Sequence, residues 1–524
     1  MRLPLVAAAA VALLAVCPAG SARRPSAPAL IAYGLARAVA DGRLTRAEEI
    51  DYRGELARAH VAAKRMPPLR GKLLEAVIAD VAAQWRVYTR PRALTLFSTL
   101  AVNTDWLAGH ALTGSHPDVV GDDGAVYRFF AGYGYVFHPL ANVAKLNSLA
   151  AAGDLDGTEQ LAAALLARAV PVGRALVWEY EFPFASGHAP WTSGMAQAVA
   201  AQAFARAGDL LGDPALLDAA DAAYASVGGL LSPAAPAKPW IALYSFDRVP
   251  VLNAQLQAAL SVGEYAAIVG DPAAESFAAR LTGAARALLP RFDTGYWSLY
   301  SLRGDESPLD YHDYVIALLR KLATRTADSA WSEVADRFHA YESQPPVIRP
   351  GPQPPTLYPR PADGYRDLAE LRFWLSKRST VTLLVAGKRV TQLLGHGENV
   401  IVWAPGKAAP GVYHPFLTAV GPAGRRVEEA LPPVTVGREP GAPPVDVTVT
   451  PPATLSWSSD AEGTPWLRLR LRLVGSTEHL LDLGRRGLAG TRRLELPPGR
   501  WHVTLLAANS AGKTRLVSLG FLPR

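Results

Sequence analysis

Residues 289–314 read LPRFDTGYWSLYSLRGDESPLDYHDY and place two tyrosines, Tyr300 and Tyr311, around one arginine, Arg303. A phenol can donate or accept a proton, and a guanidinium can pair in bidentate fashion with a carboxylate. Two proton carriers beside a carboxylate clamp suit proton transfer at the carbon next to a carboxylate, as in a uronic acid. An ordinary phenol has a pKa of about 10, so a basic tyrosine needs a positive neighbour or a proton-accepting partner. The same stretch also reads as an aromatic turn packed on a helical core.

The surroundings of this segment read as helical over 27–345. Ala-rich amphipathic blocks recur between short Gly, Asp and Pro breaks, and 73–85 carries apolar positions at helical spacing. Two blocks open alike, with Gly212-Asp213-Pro214 and Gly270-Asp271-Pro272. Asp caps the free N–H groups of a helix start, and Pro fits the first helical position. A series of helical hairpins buries its apolar faces well as a closed ring, whose loops then form a cleft at one end. The expected fold is multidomain and mainly α, an α/α toroid-like helical barrel over 23–345, followed by two small β-sandwich modules. A Pro-rich stretch, 346–361, reads as a linker. Beyond it, 380–385, 399–404, 445–449, 467–474 and 501–507 read as strands, the alternation in LRLRLRL being the plainest. A second Pro/Gly-rich junction separates a module at 362–435 from an Ig/fibronectin-like one at 445–524.

Composition limits the chemistry. Half of the 524 residues are apolar and 19% are charged, enough to bury sizeable cores. Residues 1–22 read as a secretory signal: Arg2, an apolar run over 5–16, then Gly20-Ser21-Ala22. The one cysteine, Cys17, lies inside it. The expectation is an exported chain, secreted or at the cell surface, with no disulfide, no thiol catalysis and no cysteine–zinc site. A lipid-anchored Cys17 is a lesser alternative, and no later stretch is apolar enough to span a bilayer. Residues 351–524 hold 22 Lys and Arg against 13 Asp and Glu. That excess fits either an acidic polysaccharide partner or ordinary solvated strand faces. Nucleic acid is not expected, no cofactor or metal is implied, and a homodimer is open. Asp154 and Asp156 in GDLDG lack the further ligands of a calcium loop.

Four aromatic-rich stretches occupy the middle of the chain. Their motifs are GYVFHP at 134–139, PWTSGMAQ at 190–197, VLN at 251–253, LPRFDTG…LYSLR at 289–303 and DYH at 310–312. In this order they resemble the C-terminal catalytic region of the D-glucuronyl C5-epimerase family, over roughly 130–340. The resemblance implies an exported polysaccharide epimerase that turns D-glucuronate into L-iduronate within a glycan. One group removes the C5 proton from one face of the sugar and another returns a proton to the opposite face. Tyr300 and Tyr311 match family catalytic tyrosines, and Tyr244 matches the tyrosine of a family Glu-Glu-Tyr-Pro stretch. Arg303 matches the arginine assigned to the substrate carboxylate. Trp191, Gln197, Asn253, Tyr135 and His312 become substrate-binding candidates, His312 and Asp310 also as residues orienting Tyr311.

The chain departs from the family before VLN. It has Ala242-Leu243-Tyr244-Ser245, so the tyrosine is kept with a one-residue shift and the glutamates are not. Either Tyr300 and Tyr311 suffice, or a carboxylate such as Glu179 or Glu181 substitutes, or the reaction has changed or been lost. A uronate polysaccharide lyase on the same fold, and a non-catalytic glycan-binding cell-surface protein, are the alternatives. For Trp191, Gln197 and Asn253 the competing reading is structural, a core aromatic and buried amides satisfied by backbone. His138 and His188 read as structural.

Overall fold

The computed structural model describes residues 25–522 apart from Thr113, Ser115 and Gln353. The expected signal at 1–22, with Cys17, lies outside the described residues. Among the described residues no helix is long and apolar enough to cross a membrane. The chain divides into two compact units, one up to Leu288 and one from Leu289 onward.

The described residues contain twelve α-helices. In the first unit these are α1 (Ala27–Ala40), α2 (Arg46–Arg65), α3 (Pro68–Ala83), α4 (Arg90–Gly109), α5 (Pro139–Ala152), α6 (Leu155–Leu166), α7 (Gly194–Leu211), α8 (Pro214–Val227), α9 (Leu252–Val269) and α10 (Pro272–Leu288). In the second are α11 (Leu309–Thr326) and α12 (Ser329–Ser343). Helices α5, α7 and α9 form an inner row, each packed on the next, and α6, α8 and α10 lie outside them as antiparallel partners. This is the inner-and-outer arrangement of an α/α toroid. Sequence decides which helix goes where. Helix α7, GMAQAVAAQAFARAGDLL, is apolar and small on nearly all sides and is buried almost throughout. Helix α10, PAAESFAARLTGAARAL, keeps one apolar face and turns Glu275, Arg280 and Arg286 outward. The two Gly-Asp-Pro signals do what their chemistry requires. Gly212 and Gly270, both left-handed at φ 63° and 70°, end α7 and α9. Asp213 then accepts the Ala215 N–H at 2.9 Å, and Asp271 that of Ala273 at 2.8 Å. Asp154 of GDLDG likewise caps α6 through the Gly157 N–H, 3.0 Å.

One device recurs in all three inner helices. The fourth residue of each is an amide: Asn142 in α5, Gln197 in α7 and Gln255 in α9. Its oxygen accepts a backbone N–H from the chain ahead of the helix: Val126 at 2.7 Å, Trp178 at 3.1 Å and Ile241 at 2.7 Å. Its nitrogen donates to a carbonyl of that same segment: Val126 at 2.8 Å, Leu176 at 2.9 Å and Pro239 at 3.1 Å. A second N–H ties the segment to a helix, at the His138 carbonyl, the Ser226 hydroxyl and the Leu281 carbonyl. The amide satisfies backbone groups that burial would otherwise leave orphaned.

The second unit continues from α11 and α12 into antiparallel sheets. Ala369–Leu375 pairs with Gly397–Trp403 on one side and Ile348–Pro350 on the other. Proline at an edge position costs no ladder bond, so part of the Pro-rich stretch is an edge strand instead of a tether. A four-stranded sheet, built on Ser379–Val385 and Phe416–Val420, covers the other side of a core holding Phe373, Leu383 and Trp403. In the last module Leu467–Val474 pairs with Glu478–Arg486 and Trp501–Asn509, facing a three-stranded sheet over Leu469, Leu471, Trp457 and Trp501. The LRLRLRL alternation has its predicted outcome. Its leucines are buried, while Arg468 and Arg472 pair on the outer face with Asp482 and Glu478 at 2.6 and 2.9 Å.

Candidate functional site

In the first unit the chemistry-bearing residues gather in an aromatic cluster. The chain from Trp178 to Phe184 runs extended, and Tyr180, Phe182 and Phe184 all turn into it. Trp191 stacks on Tyr180 at 3.9 Å with planes 2° apart, and its indole N–H donates to the Phe182 carbonyl at 2.8 Å. Tyr244 and Phe246 meet Trp191 edge-on at 5.5 and 5.4 Å and stack on each other at 5.4 Å. They come from a short hairpin, Ala242–Tyr244 with Asp247–Pro250. Trp191, 5% exposed and covered on its face by Tyr180, is a core member of the cluster. The half-exposed rings are Phe130, Tyr133, Phe184, Tyr244 and Phe246. Phe246 was not singled out by the sequence reading; its spacing from Tyr244 across a hairpin turn is the signal that could have found it.

The PWTSGMAQ motif turns out to be a frame for this cluster. Trp191 exchanges two backbone hydrogen bonds with Tyr180, and the Thr192 carbonyl accepts from the Ser245 N–H at 2.9 Å. The Ser193 hydroxyl caps α7 through the Ala196 N–H, 3.3 Å. Gly194 packs where a Cβ would lie 2.6 Å from the Ala242 carbonyl oxygen. Gln197 is the fourth-residue clamp of α7. Its oxygen and both its N–H groups are spent on protein partners, so the structure gives it to the frame and not to a sugar hydroxyl. A Gly194→Ala substitution forces the hairpin backbone away from α7. It is expected to cost about 1–3 kcal/mol, as overpacking does. The check is a chemical melt read beside tyrosine and tryptophan fluorescence of the cluster.

Tyr135 is fully buried against Trp106 and Phe129, its hydroxyl without a hydrogen bond. Asn253 is also buried, with its side-chain oxygen unpartnered. Neither is brought to the Trp191–Tyr244 cluster by any ring or hydrogen-bond contact. His138 caps α5 through the Ala141 N–H at 3.0 Å, and burial pushes it down to about 4.

The two glutamates weighed as substitutes differ. Glu179 is held in a bidentate pair by Arg92 at 2.7 and 2.8 Å. Glu181 has a buried carboxyl oxygen with no hydrogen-bond donor. Burial first, and the Glu179 charge next, push its carboxyl up to about 8. It opens on a cavity of about 20 Å³, room for about one water, lined also by Asp80, Tyr133 and Phe182. Burial pushes Asp80 up to about 6.

In the second unit the segment opened on above folds as a hairpin leading into α11. Asp293 anchors its start, accepting from Tyr341 at 3.0 Å and Arg337 at 2.8 Å, both on α12. Thr294 and Gly295, left-handed at φ 80°, turn the chain. Leu299 bridges Glu306, and the Tyr300 N–H donates to the Asp305 carbonyl at 2.7 Å. Arg303 lies exposed at the tip, its N–H donating to the Ser301 hydroxyl at 3.2 Å. Tyr311, in the first turn of α11, meets Tyr300 in a T-shaped contact with ring centroids 5.3 Å apart and planes at 85°. Tyr311 is 39% exposed. Tyr300 and Tyr311 are thus in ring contact, and Arg303 sits at the tip of the Leu299–Glu306 hairpin that carries Tyr300.

His312 is not part of that surface. It is fully buried, 3.8 Å from the Trp297 ring, one nitrogen 2.7 Å from the Ser298 hydroxyl and the other 2.9 Å from the Phe338 carbonyl. Burial pushes it below the ordinary histidine value. As a neutral ring it donates to Phe338 and accepts from Ser298, and so ties the hairpin to α12 from its buried side.

No curated protein matches the chain. Among solved structures it is similar to an endo-β-1,4-glucanase, CMCax, from Acetobacter xylinum, 17% identical over 34% of this chain and 55% of that one, with a TM-score of 0.26. It is similar to a GH76 α-mannanase from Bacteroides thetaiotaomicron, 10% identical over 39% and 59%, with a TM-score of 0.31. It is also similar to the fibronectin(III)-like modules of Clostridium thermocellum CbhA, 14% identical over 33% and 92%, with a TM-score of 0.18. The chain thus spans between half and three fifths of the length of the first two. Residues 173–340, from the strand ahead of the aromatic cluster to the end region of α12, match the model of the D-glucuronyl C5-epimerase C-terminus, the family whose motifs the sequence carries.

Proposed function

We propose that this chain is an exported polysaccharide C5-epimerase that interconverts D-glucuronate and L-iduronate residues within an acidic glycan. The observation that carries the reading is the Tyr300–Tyr311 pair, two phenol rings with centroids 5.3 Å apart, with Arg303 at the tip of the hairpin that carries Tyr300, inside the segment that matches the epimerase family. The reaction needs a weakly acidic C–H broken and the resulting enolate charge held on the carboxylate. One phenol takes the C5 proton while the other delivers a proton to the opposite face, and the Arg303 fork holds the carboxylate as charge builds there. The test is to incubate glucuronate polymers with the protein in deuterated water and to measure C5 label by mass spectrometry. Label without chain shortening is expected. Shortening with an unsaturated uronate would make it a lyase, in which the same proton abstraction is followed by expulsion of the 4-linked sugar.

One observation favours a second reading, a glycan-binding protein without catalysis. The Ala242–Pro250 hairpin has no glutamate where the family has two, and its nearest carboxylate, Asp247, accepts from its own hairpin at the Val249 N–H, 3.0 Å. Polymer binding with no label in any glucuronate glycan would establish that reading.

A further inference from the structure

The β-module beginning at Ala369 reaches under the Tyr300 hairpin with one turn, Ser376-Lys377-Arg378-Ser379. Ser376, Lys377 and Ser379 are each 1% exposed, an unusual depth for a turn that carries a lysine. The Lys377 ammonium donates to the carbonyls of Tyr341 and Gln344, at 2.8 and 3.1 Å, the open C-terminal end of α12. That end carries orphan carbonyls and a partial negative charge, which a buried cation satisfies. The same ammonium lies 5.2 Å from the centre of the Trp297 ring, whose other neighbour is His312. Burial pushes Lys377 down to about 8.

On the hairpin side the matching group is Glu306, its side chain 3% exposed. Both its oxygens accept the Arg378 N–H, at 3.0 and 2.8 Å, and one also accepts the His396 N–H at 3.0 Å. His396 Nδ1 lies 3.3 Å from that oxygen. Glu306 is the residue that bridges Leu299, one place before Tyr300. A buried carboxylate bound by backbone N–H groups from two turns is a rigid joint. It fixes the arm of the hairpin opposite Tyr300.

We propose that Glu306 is a positioning residue, and that this β-module, through the turn 376–379 and the turn at His396, is the part that sets the hairpin carrying Tyr300 and Arg303. The proposal rests on the C5 reading for what the hairpin does, but not for how it is held. Glu306→Ala and Glu306→Gln are compared with the native chain. Trypsin nicking between Arg303 and Gly304, at the hairpin tip, is measured against nicking between Lys388 and Arg389, beside the Ala386–Gly387 turn at the end of the Ser379–Leu394 strand pair away from Arg378. Nicking at the tip is expected to rise at least tenfold in Glu306→Ala relative to the reference turn, with a smaller rise in Glu306→Gln, which keeps one acceptor oxygen. Where the native chain labels C5, labelling falls in the same order. A raised nicking ratio supports the joint even if no polymer is ever labelled, in which case only the C5 reading falls. An unchanged ratio in a folded Glu306→Ala protein overturns the proposal. If that variant does not fold, amide hydrogen exchange of the native chain decides. Slow exchange at Arg378, His396 and Tyr300 upholds the joint, and exchange there at the rate of an open turn overturns it.

Discussion

Replacing Tyr311 with Phe is expected to cut interconversion of glucuronate and iduronate by about 10²- to 10⁴-fold, the range carried by one general acid–base group, and Tyr300→Phe to do the same. Each change removes a hydroxyl and keeps the ring, so the T-shaped contact at 5.3 Å survives. Tyr311 is partly exposed, and losing its hydroxyl leaves no cavity. Melting temperatures should therefore move little, within about ±0.5 kcal/mol of stability for a surface change, which separates a chemical loss from a folding loss. The two variants differ in what remains. If the phenols serve opposite faces of the sugar, one variant keeps exchange from one epimer and loses it from the other. Measuring label separately from glucuronate and iduronate polymers reads this directly. Full activity in both variants removes the proton-transfer role from the pair.

The second large effect concerns pH. Glu181 holds its proton in the folded chain up to about 8, against an ordinary value of 4.5. Between these values the folded state carries a proton that the unfolded chain has lost. Stability therefore falls as pH rises through that window and levels off above it. Asp80, pushed from 3.8 to about 6, acts in the same direction over a lower range. Each unit of displacement is about 1.4 kcal/mol, so the first unit, from residue 25 to Leu288, is expected to be clearly more stable at pH 5 than at pH 8. Glu181→Gln keeps the shape and a donor toward Glu179 while removing the charge. It should raise stability at pH 8 by at least about 1 kcal/mol, a few degrees in melting temperature, and have little effect at pH 5. Denaturant melts of both proteins across pH 5–8 provide the check. An equal effect of Glu181→Gln at both ends of that range would mean that Glu181 is ionised throughout.

Local signals in the sequence carried most of the fold. The Gly-Asp-Pro breaks state both the end of one helix and the cap of the next within three residues, and LRLRLRL states its own buried face. Placement was legible where residues are neighbours in the chain: Tyr300 and Tyr311 lie within twelve positions and their rings meet. It was not legible where partners are distant. Gln197 reads as a polar group free for a sugar until Trp178, nineteen residues earlier, is seen to take its oxygen. His312 reads as a partner for Tyr311, its neighbour in sequence, but successive helical residues point about 100° apart, and the ring goes inward. Nothing local in the sequence marks Lys377 and Glu306 as buried. Their burial follows only from packing between segments that are 72 residues apart at the Glu306–Arg378 contact.

The amide at the fourth position of α5, α7 and α9 holds the segment ahead of its helix by main-chain groups alone. No side chain of the segment it holds takes part, so the grip is indifferent to what those segments spell. Loops anchored in this way can change their lettering without renegotiating the scaffold. The segments ahead of α5, α7 and α9 are thus open to recombination: exchanging side chains there leaves the grip itself in place.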